Sequence, residues 1–125
     1  MDPAIERVIE LIGRYSEAGD RLRERLDTQR AWNDEDIARL RAGTRLSEST
    51  KQTRSADRSR DLTRILAEFE TSRREIRAAV VAAALEDGMS ITEIADIFGV
   101  SRQLANRFVK DARNLGFLPG GGTGE

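Results

Sequence analysis

The chain has 125 residues, about the length of one small domain, and its 21 lysines and arginines against 22 acidic residues give a formal net charge of −1. Cysteine and histidine are both absent, which excludes disulfide bonds and sites built on thiolate or imidazole ligands, and removes the commonest general base. The sequence contains no apolar run of roughly 20 residues and no N-terminal signal pattern. Composition therefore predicts a cytoplasmic protein with no membrane span, cofactor, metal ion or enzymatic activity, in which nucleic-acid binding depends on local patterning.

Residues 1–26 carry a heptad pattern. Asp2 and Pro3 predict the helix N-terminus, because a carboxylate caps free amides and proline lacks an N–H that would be unpaired there. Gly19 lowers helix stability by roughly 1 kcal/mol relative to alanine, and it permits a close helix crossing or a kink. The pattern predicts a seam that packs on a second copy of the chain or on a later segment. The seam positions are Ile5, Val8, Ile12, Tyr15, Gly19, Leu22 and Leu26.

A second helix is predicted to start at Asn33, whose side chain can cap it ahead of three acidic residues at the positive end of the helix dipole. Trp32, just before this cap, is placed to pack against Ile37 as a hydrophobic staple. Residues 1–46 are thus predicted to form a helical oligomerisation segment.

Residues 47–61 contain one apolar residue, Ala56. Such a stretch buries little, so it is predicted to be a flexible linker or a helix fully exposed to water. It also carries an excess of cations opposed only by Asp57, which form either a solvated surface or a supplementary phosphate contact. These cations are Lys51, Arg54, Arg58 and Arg60.

Helical periodicity returns at Leu62 and is predicted to end at Gly88, which can adopt the left-handed conformation that closes a helix. Residues 62–116 are predicted to form a C-terminal domain, and the glycine-rich residues 117–125 a disordered tail. No strand pattern occurs, so the predicted fold class is all-α.

The segment after Gly88 predicts two short helices joined by a tight turn. Ser90 and Glu93 form a capping box for the first helix, Gly99 ends it, and Ser101 caps the second. The predicted apolar face of the first helix consists of Ile94, Ile97 and Phe98, with the small Ala95 on the same side. The predicted buried face of the second helix consists of Leu104, Ala105, Phe108 and Val109.

This segment resembles the helix-turn-helix DNA-binding motif. The resemblance rests on the small Ala95, the turn residue Gly99 and the apolar Val100 between the two helices. The GVSRQ run that opens the second helix looks like bacterial repressors and like the region-four-like domains of sigma factors. The helix at residues 73–87 would be the support helix. Ala105 departs from the pattern, because a branched aliphatic residue is more usual there.

The resemblance implies that the second helix enters the major groove of double-stranded DNA and that its first turns meet base edges. Glutamine and asparagine can bind adenine, arginine can bind guanine, and the later cations suit phosphates. The hydroxyls at the start of the first motif helix suit a phosphate at a helix N-terminus. The implied DNA contacts are Ser90, Thr92, Ser101, Arg102, Gln103, Asn106, Arg107, Lys110 and Arg113.

These observations predict a sequence-specific transcriptional regulator that acts as a homodimer through its N-terminal helix, with half-sites about 34–36 Å apart. One alternative is a nucleoid-associated, plasmid-borne or phage-borne architectural DNA-binding protein. Another is a helical adaptor that binds a protein partner in the transcription machinery. Glu93, Asp96 and Asp111 count against the DNA interpretation, because carboxylates near that surface repel phosphates.

Overall fold

A computed structural model describes residues 1–120, and within that range the chain forms five helices and no strand. The all-α prediction is confirmed. None of these helices combines the length and hydropathy that a membrane span requires. The helices are α1 (Pro3–Arg41), α2 (Leu46–Gln52), α3 (Ser55–Glu86), α4 (Ile91–Phe98) and α5 (Arg102–Asn114).

The chain divides into two compact units. Unit 1 combines the residues up to Tyr15 with those from Thr71 onward, and unit 2 comprises Ser16–Glu70. Helices α1 and α3 each contribute residues to both units. The predicted divisions after residues 46, 61 and 116 fall elsewhere and stay a prediction about domains.

Helix α1 runs without a break through Asn33, so the helix start predicted there is wrong. The Asn33 side chain accepts a hydrogen bond from Gln29 Nε2 at 2.8 Å instead of capping backbone amides. The acidic residue that follows, Asp34, lies 3.9 Å from Arg30 one turn earlier. Pairs at this spacing stabilise a helix interior by about 0.2–0.5 kcal/mol each, so both favour a continuous α1.

Trp32 and Arg25 hold α1 to the start of α3 within unit 2. The buried Arg25 guanidinium donates to Asp61 Oδ2 at 2.6 Å, to Gln29 Oε1 at 3.0 Å and to the Arg58 carbonyl at 2.9 Å. The Trp32 ring contacts two guanidinium groups, with centroid distances of 4.6 Å to Arg25 and 4.0 Å to Arg58. The predicted hydrophobic staple is therefore replaced by cation–π contacts.

This polar cluster explains the structure of the segment for which the sequence left two alternatives. Residues 47–61 are helical apart from a short turn between α2 and α3, and part of this helical segment is buried, so neither a flexible linker nor a fully exposed helix is observed. Ser49 and Thr53 are buried there, although neither is apolar. Composition missed this packing because the stabilising contacts are hydrogen bonds and cation–π interactions, not aliphatic burial.

Only some residues of the predicted seam lie on the inward face of α1. Val8, Tyr15 and Leu22 are half-buried as predicted, but Leu11 and Ala18 are the buried residues between them. Both registers follow steps of three and four residues, so periodicity alone does not separate them. The other predicted seam positions lie on the half-buried or exposed flank of α1: Ile5, Ile12, Gly19 and Leu26.

The core of unit 1 is a cluster of eight buried residues, five of them alanines. Its two largest fully buried side chains are Val81 of α3 and Ile94 of α4. Phe117 and Leu118 pack against this cluster, so the predicted tail is wrong for these two residues. Residues 121–125, where the rest of that prediction falls, lie outside the described residues. The cluster consists of Ala78, Val81, Ala84, Ile94, Ala95, Ala105, Val109 and Ala112.

Candidate nucleic-acid interface

The start of α4 has the predicted capping box. Ser90 Oγ accepts a hydrogen bond from the Glu93 amide at 3.1 Å, and Glu93 Oε1 accepts one from the Ser90 amide at 3.1 Å. These reciprocal bonds satisfy two amides that a helix N-terminus leaves unpaired. They also fix the Glu93 carboxylate, one of the acidic groups that counted against DNA binding, at the helix start.

The turn between α4 and α5 depends on glycine. Gly99 has φ 63° and ψ 40°, the left-handed region that glycine adopts with little strain. Its amide donates to the Asp96 carbonyl at 3.2 Å, and the Val100 amide donates to the Ala95 carbonyl at 3.0 Å. Ser101 then caps α5, because its Oγ accepts the Leu104 amide at 3.1 Å. The predicted helix, turn and helix are confirmed.

One face of α5 packs into the core of unit 1. Ala105 and Val109 are buried as predicted, and Ala112, which lies outside the predicted face, is also buried. Ala105 lies in a cluster of alanines where helices approach closely, which accounts for the absence of a larger aliphatic residue. The Phe108 ring meets the Phe98 ring edge to face, with centroids 5.5 Å apart.

One residue of the predicted apolar face of α4 is misplaced. Ile94 is fully buried and Phe98 is half-buried, but 50% of the Ile97 surface is exposed. Ile97 belongs to a groove formed with Ile5 and Val8 of α1. The eight-residue α4 contains four large apolar residues, Ile91, Ile94, Ile97 and Phe98, and their spacing gave no signal for which one would lie at the rim.

All nine side chains implied as DNA contacts are exposed, and six lie on α5. Because helical neighbours recur every three to four residues, these six form one polar face opposite the buried alanines. The hydroxyl residues lie at the two helix starts. The α5 set is Arg102, Gln103, Asn106, Arg107, Lys110 and Arg113; the hydroxyl set is Ser90, Thr92 and Ser101.

The third acidic group near this surface, Asp111, is bound by arginines of α3. Arg74 Nε donates to both carboxylate oxygens at 2.9 and 3.1 Å, and its Nη2 donates to Oδ1. Arg77 lies 3.9 Å from the same carboxylate and stacks over the Phe108 ring at 4.3 Å. The hydrogen bonds from Arg74 lower the pKa of Asp111 below its ordinary value of 3.8, and those bonds raise the pKa of Arg74.

The Asp111 charge is therefore neutralised by α3, and its effect on a nearby phosphate is reduced. Arg74 and Arg77 were missed in the sequence because they precede Asp111 by 37 and 34 residues. Arginines spaced three apart on an amphipathic helix are typical of a solvated surface and give no local signal for a long-range ion pair.

The cations of residues 47–61 are mostly engaged within unit 2. Arg54 and Arg60 both pair with Asp57, at 2.9 and 2.6 Å, and these contacts lower the pKa of that carboxyl. Arg58 stacks on the indole described above. Lys51 is exposed. A supplementary phosphate contact at this segment stays a prediction.

Residues 71–120 match the family model of a homeodomain-like domain. The matched range contains the last turns of α3 together with α4 and α5, so it extends the motif to a three-helix domain. No curated protein and no solved structure matches the chain. The match supports a helix-turn-helix domain of the DNA-binding type in this part of the chain.

Proposed function

We propose that the protein is a sequence-specific transcriptional regulator that reads the major groove of double-stranded DNA with α5. The observation that carries this proposal is the two-sided character of α5. Its alanine face is buried in unit 1, and its opposite face carries two arginines, a glutamine and an asparagine exposed to solvent. In helix-turn-helix domains the recognition helix presents such a face to base edges.

Each exposed side chain of α5 suits one class of contact. Gln103 and Asn106 can form paired hydrogen bonds with adenine, and Arg102 and Arg107 with guanine, each good pair giving roughly 1–3 kcal/mol of discrimination. Lys110, farther along α5, suits a phosphate, which positions the helix without reading sequence. Arg113, Ser90, Thr92 and Ser101 belong to the proposed backbone contacts as well.

The protein acts as a homodimer in this proposal. One recognition helix covers only a few base pairs, and a chain with a net charge of −1 gains little from long-range attraction to DNA. Two copies place two recognition helices on half-sites about 34–36 Å apart. The half-exposed apolar residues on the flank of α1 support the N-terminal helix as the dimer surface. The proposal places the protein on the nucleoid of a bacterial cytoplasm.

The test is binding to duplexes selected from a random library, followed by fluorescence anisotropy across a salt series. Arg102→Ala and Arg107→Ala should weaken binding by roughly 1–3 kcal/mol each and relax base preference. Lys110→Ala should weaken all sequences similarly and reduce the salt slope by about one. Arg14→Ala, which removes an exposed arginine of α1, is the matched control.

Three outcomes would overturn the proposal. Binding by the α5 variants equal to that of the wild type would mean that α5 does not face DNA. Selection without any enriched sequence, despite tight binding, would favour the architectural alternative. Absence of DNA binding at low salt, together with capture of a protein by residues 1–46, would favour the adaptor.

A further inference from the structure

Two groups of aliphatic side chains remain uncovered near the ends of α1, and Leu26 between them is 48% exposed. The first group, here the N-patch, consists of Ile5, Ile9 and Ile12 in unit 1, and the second, the C-patch, consists of Ile37 and Leu40 in unit 2. Between 42% and 54% of the surface of each of these residues is exposed. All five occupy two neighbouring positions of the α1 heptad, so each patch lies on the flank beside the buried register.

The same two heptad positions are mostly polar between the patches. They hold Arg23 and Arg30, whose side chains are 79% and 82% exposed, together with Ser16, Gly19, Leu26 and Asn33. If two copies of α1 packed in parallel along this flank, Arg23 would face Arg23 and Arg30 would face Arg30. Like charges at facing seam positions are destabilising, so the pattern disfavours a parallel pair.

The charges at the two ends of α1 are opposite in sign. Residues 1–13 contain three carboxylates against Arg7, whereas the last five residues of α1, 37–41, contain two arginines and no carboxylate. Arg45 follows the helix, and the acidic residues Asp34, Glu35 and Asp36 lie just before this end. Ile5 also walls an apolar groove of about 420 Å³ in unit 1, whose rim carries the carboxylates of Asp2, Glu86 and Asp87. The acidic end of one copy therefore complements the basic end of another.

Two unpaired cations lie near the C-patch in the sequence: Arg41, the last residue of α1, and Arg45, which follows the helix. Both are exposed, and neither makes an ion pair with any residue in the range 1–120. Arg39, the third arginine of this end, is already paired with Asp36. An acidic partner surface would supply the carboxylates that Arg41 and Arg45 lack.

We propose that two copies of the chain associate through antiparallel α1 helices, with the N-patch of each copy packed on the C-patch of the other. The proposal rests on the proposed dimeric function and specifies its interface. A register that places Ile12 beside Ile37 of the second copy also places Ile9 beside Leu40, whereas Ile5 lies past the end of the second α1 at Arg41. The same register places Arg30 beside Gly19 of the second copy, where no side chain opposes it. It places Arg23 beside Leu26, where the aliphatic stem of the arginine can pack while its guanidinium stays in solvent.

The length of the paired helices sets the size of this interface. In this register residues 8–41 of the two α1 helices overlap, about 51 Å of helix about 10–12 Å wide, so one face offers on the order of 500–600 Å² per partner. That area lies at or just below the lower end of the roughly 600–1,000 Å² per partner of specific interfaces. The two-fold arrangement repeats the contact between N-patch and C-patch and occupies all four patches, so it closes at two copies and leaves no open end for filament growth.

The test compares two charge variants alone and mixed, with mass measured by light scattering in the absence of DNA. Wild-type protein should have twice the 14.0 kDa of one chain. Ile12→Glu alone and Ile37→Lys alone should each be monomers, because a charge would face an isoleucine at both contacts. An equimolar mixture should restore the dimer. Antiparallel pairing then places the introduced carboxylate against the introduced ammonium at one contact, and isoleucine against isoleucine at the other.

A parallel pair would not be rescued by mixing, and a monomeric wild type would remove the interface altogether; either result overturns the proposal. Both substituted isoleucines are half-exposed, so circular dichroism of each variant should match the wild type. Thr63→Glu on the exposed face of α3 is the matched control and should leave the dimer intact.

A second measurement uses the absence of cysteine from the chain. Glu6→Cys and Arg41→Cys should form a disulfide with each other in the mixture, whereas a parallel pair would hold the two cysteines about 52 Å apart and give no mixed disulfide. Binding of the monomeric Ile12→Glu variant to a single half-site reports on α5 alone. Failure of the interface is therefore distinguishable from failure of the proposed DNA binding.

Discussion

Replacing Asp111 by asparagine tests whether α5 is fixed by its ion pair with α3. The change keeps the size and an acceptor oxygen of the side chain but removes the charge that Arg74 contacts in bidentate geometry. We expect the domain to lose stability while its DNA-binding surface loses a negative charge. The two effects have different readouts, so each is measured separately.

The magnitude follows from the exposure of the two partners. Hydrogen bonds to charged groups contribute about 1.5–3 kcal/mol when shielded, and exposed ion pairs about 0.2–1 kcal/mol. The Asp111 side chain is 21% exposed and that of Arg74 is 52% exposed, so solvent screening brings the pair toward the lower range. The expected loss for Asp111→Asn is about 1 kcal/mol.

Urea unfolding followed by circular dichroism measures this loss, with Asp96→Asn as the control because Asp96 is an exposed carboxylate of the neighbouring helix. Arg74→Gln should cost a similar amount, and the double variant should cost about as much as either single variant. Strictly additive losses would refute the proposed coupling between α3 and α5.

The effect of Asp111→Asn should depend on pH in a defined direction. Arg74 lowers the pKa of Asp111 in the folded protein below the ordinary value of 3.8. The stabilisation is therefore complete above about pH 5 and is lost as the pH falls through the folded pKa, where the carboxylate becomes neutral. The stability difference between wild type and variant should shrink in that acidic range, and a difference that persists there would contradict an electrostatic origin.

Two further predictions concern the backbone conformation of two glycines and the cation–π contacts of Trp32. Gly99→Ala should destabilise the protein by about 1 kcal/mol, because the residue has a left-handed backbone conformation. Gly19→Ala should stabilise it by about 0.5–1 kcal/mol, because alanine favours the helix and its Cβ would lie at an ordinary 3.7 Å from Phe69 Cε1. Urea unfolding should give opposite signs for the two variants, and destabilisation by Gly19→Ala would contradict this prediction. Trp32→Ala should remove two cation–π contacts of about 0.5–1 kcal/mol each. Hydrogen exchange should then show lower protection of the backbone amides in residues 47–61. Unchanged protection there would show that the indole does not stabilise this segment.

The candidate site was predictable because its signals are local. The bonds between Ser90 and Glu93 span three residues, and the turn depends on the backbone freedom of Gly99 alone. Ser101 caps α5 through a bond to the amide of Leu104, three residues along. Interactions of this range are encoded by neighbouring residues, so sequence patterns identify them before the fold is known.

The structure of residues 47–61 was not predictable from composition. Arg25 reaches Asp61 across 36 residues of sequence, and its buried guanidinium occupies a position where a periodic pattern expects an aliphatic side chain. The helix start predicted at Asn33 was wrong for a related reason, because a residue that can cap a helix can instead lie inside one and bond to a side chain one turn away.

The sequence by itself determined that α1 is amphipathic, because steps of three and four residues place Val8, Tyr15 and Leu22 on one side of any helix. Only the tertiary structure decided which neighbours complete that side. Leu11 and Ala18 face inward and Ile12 faces outward, because the helix can rotate by a fraction of a turn without changing its own hydrogen bonds. That rotation is fixed by packing against residues distant in sequence, which periodicity does not contain.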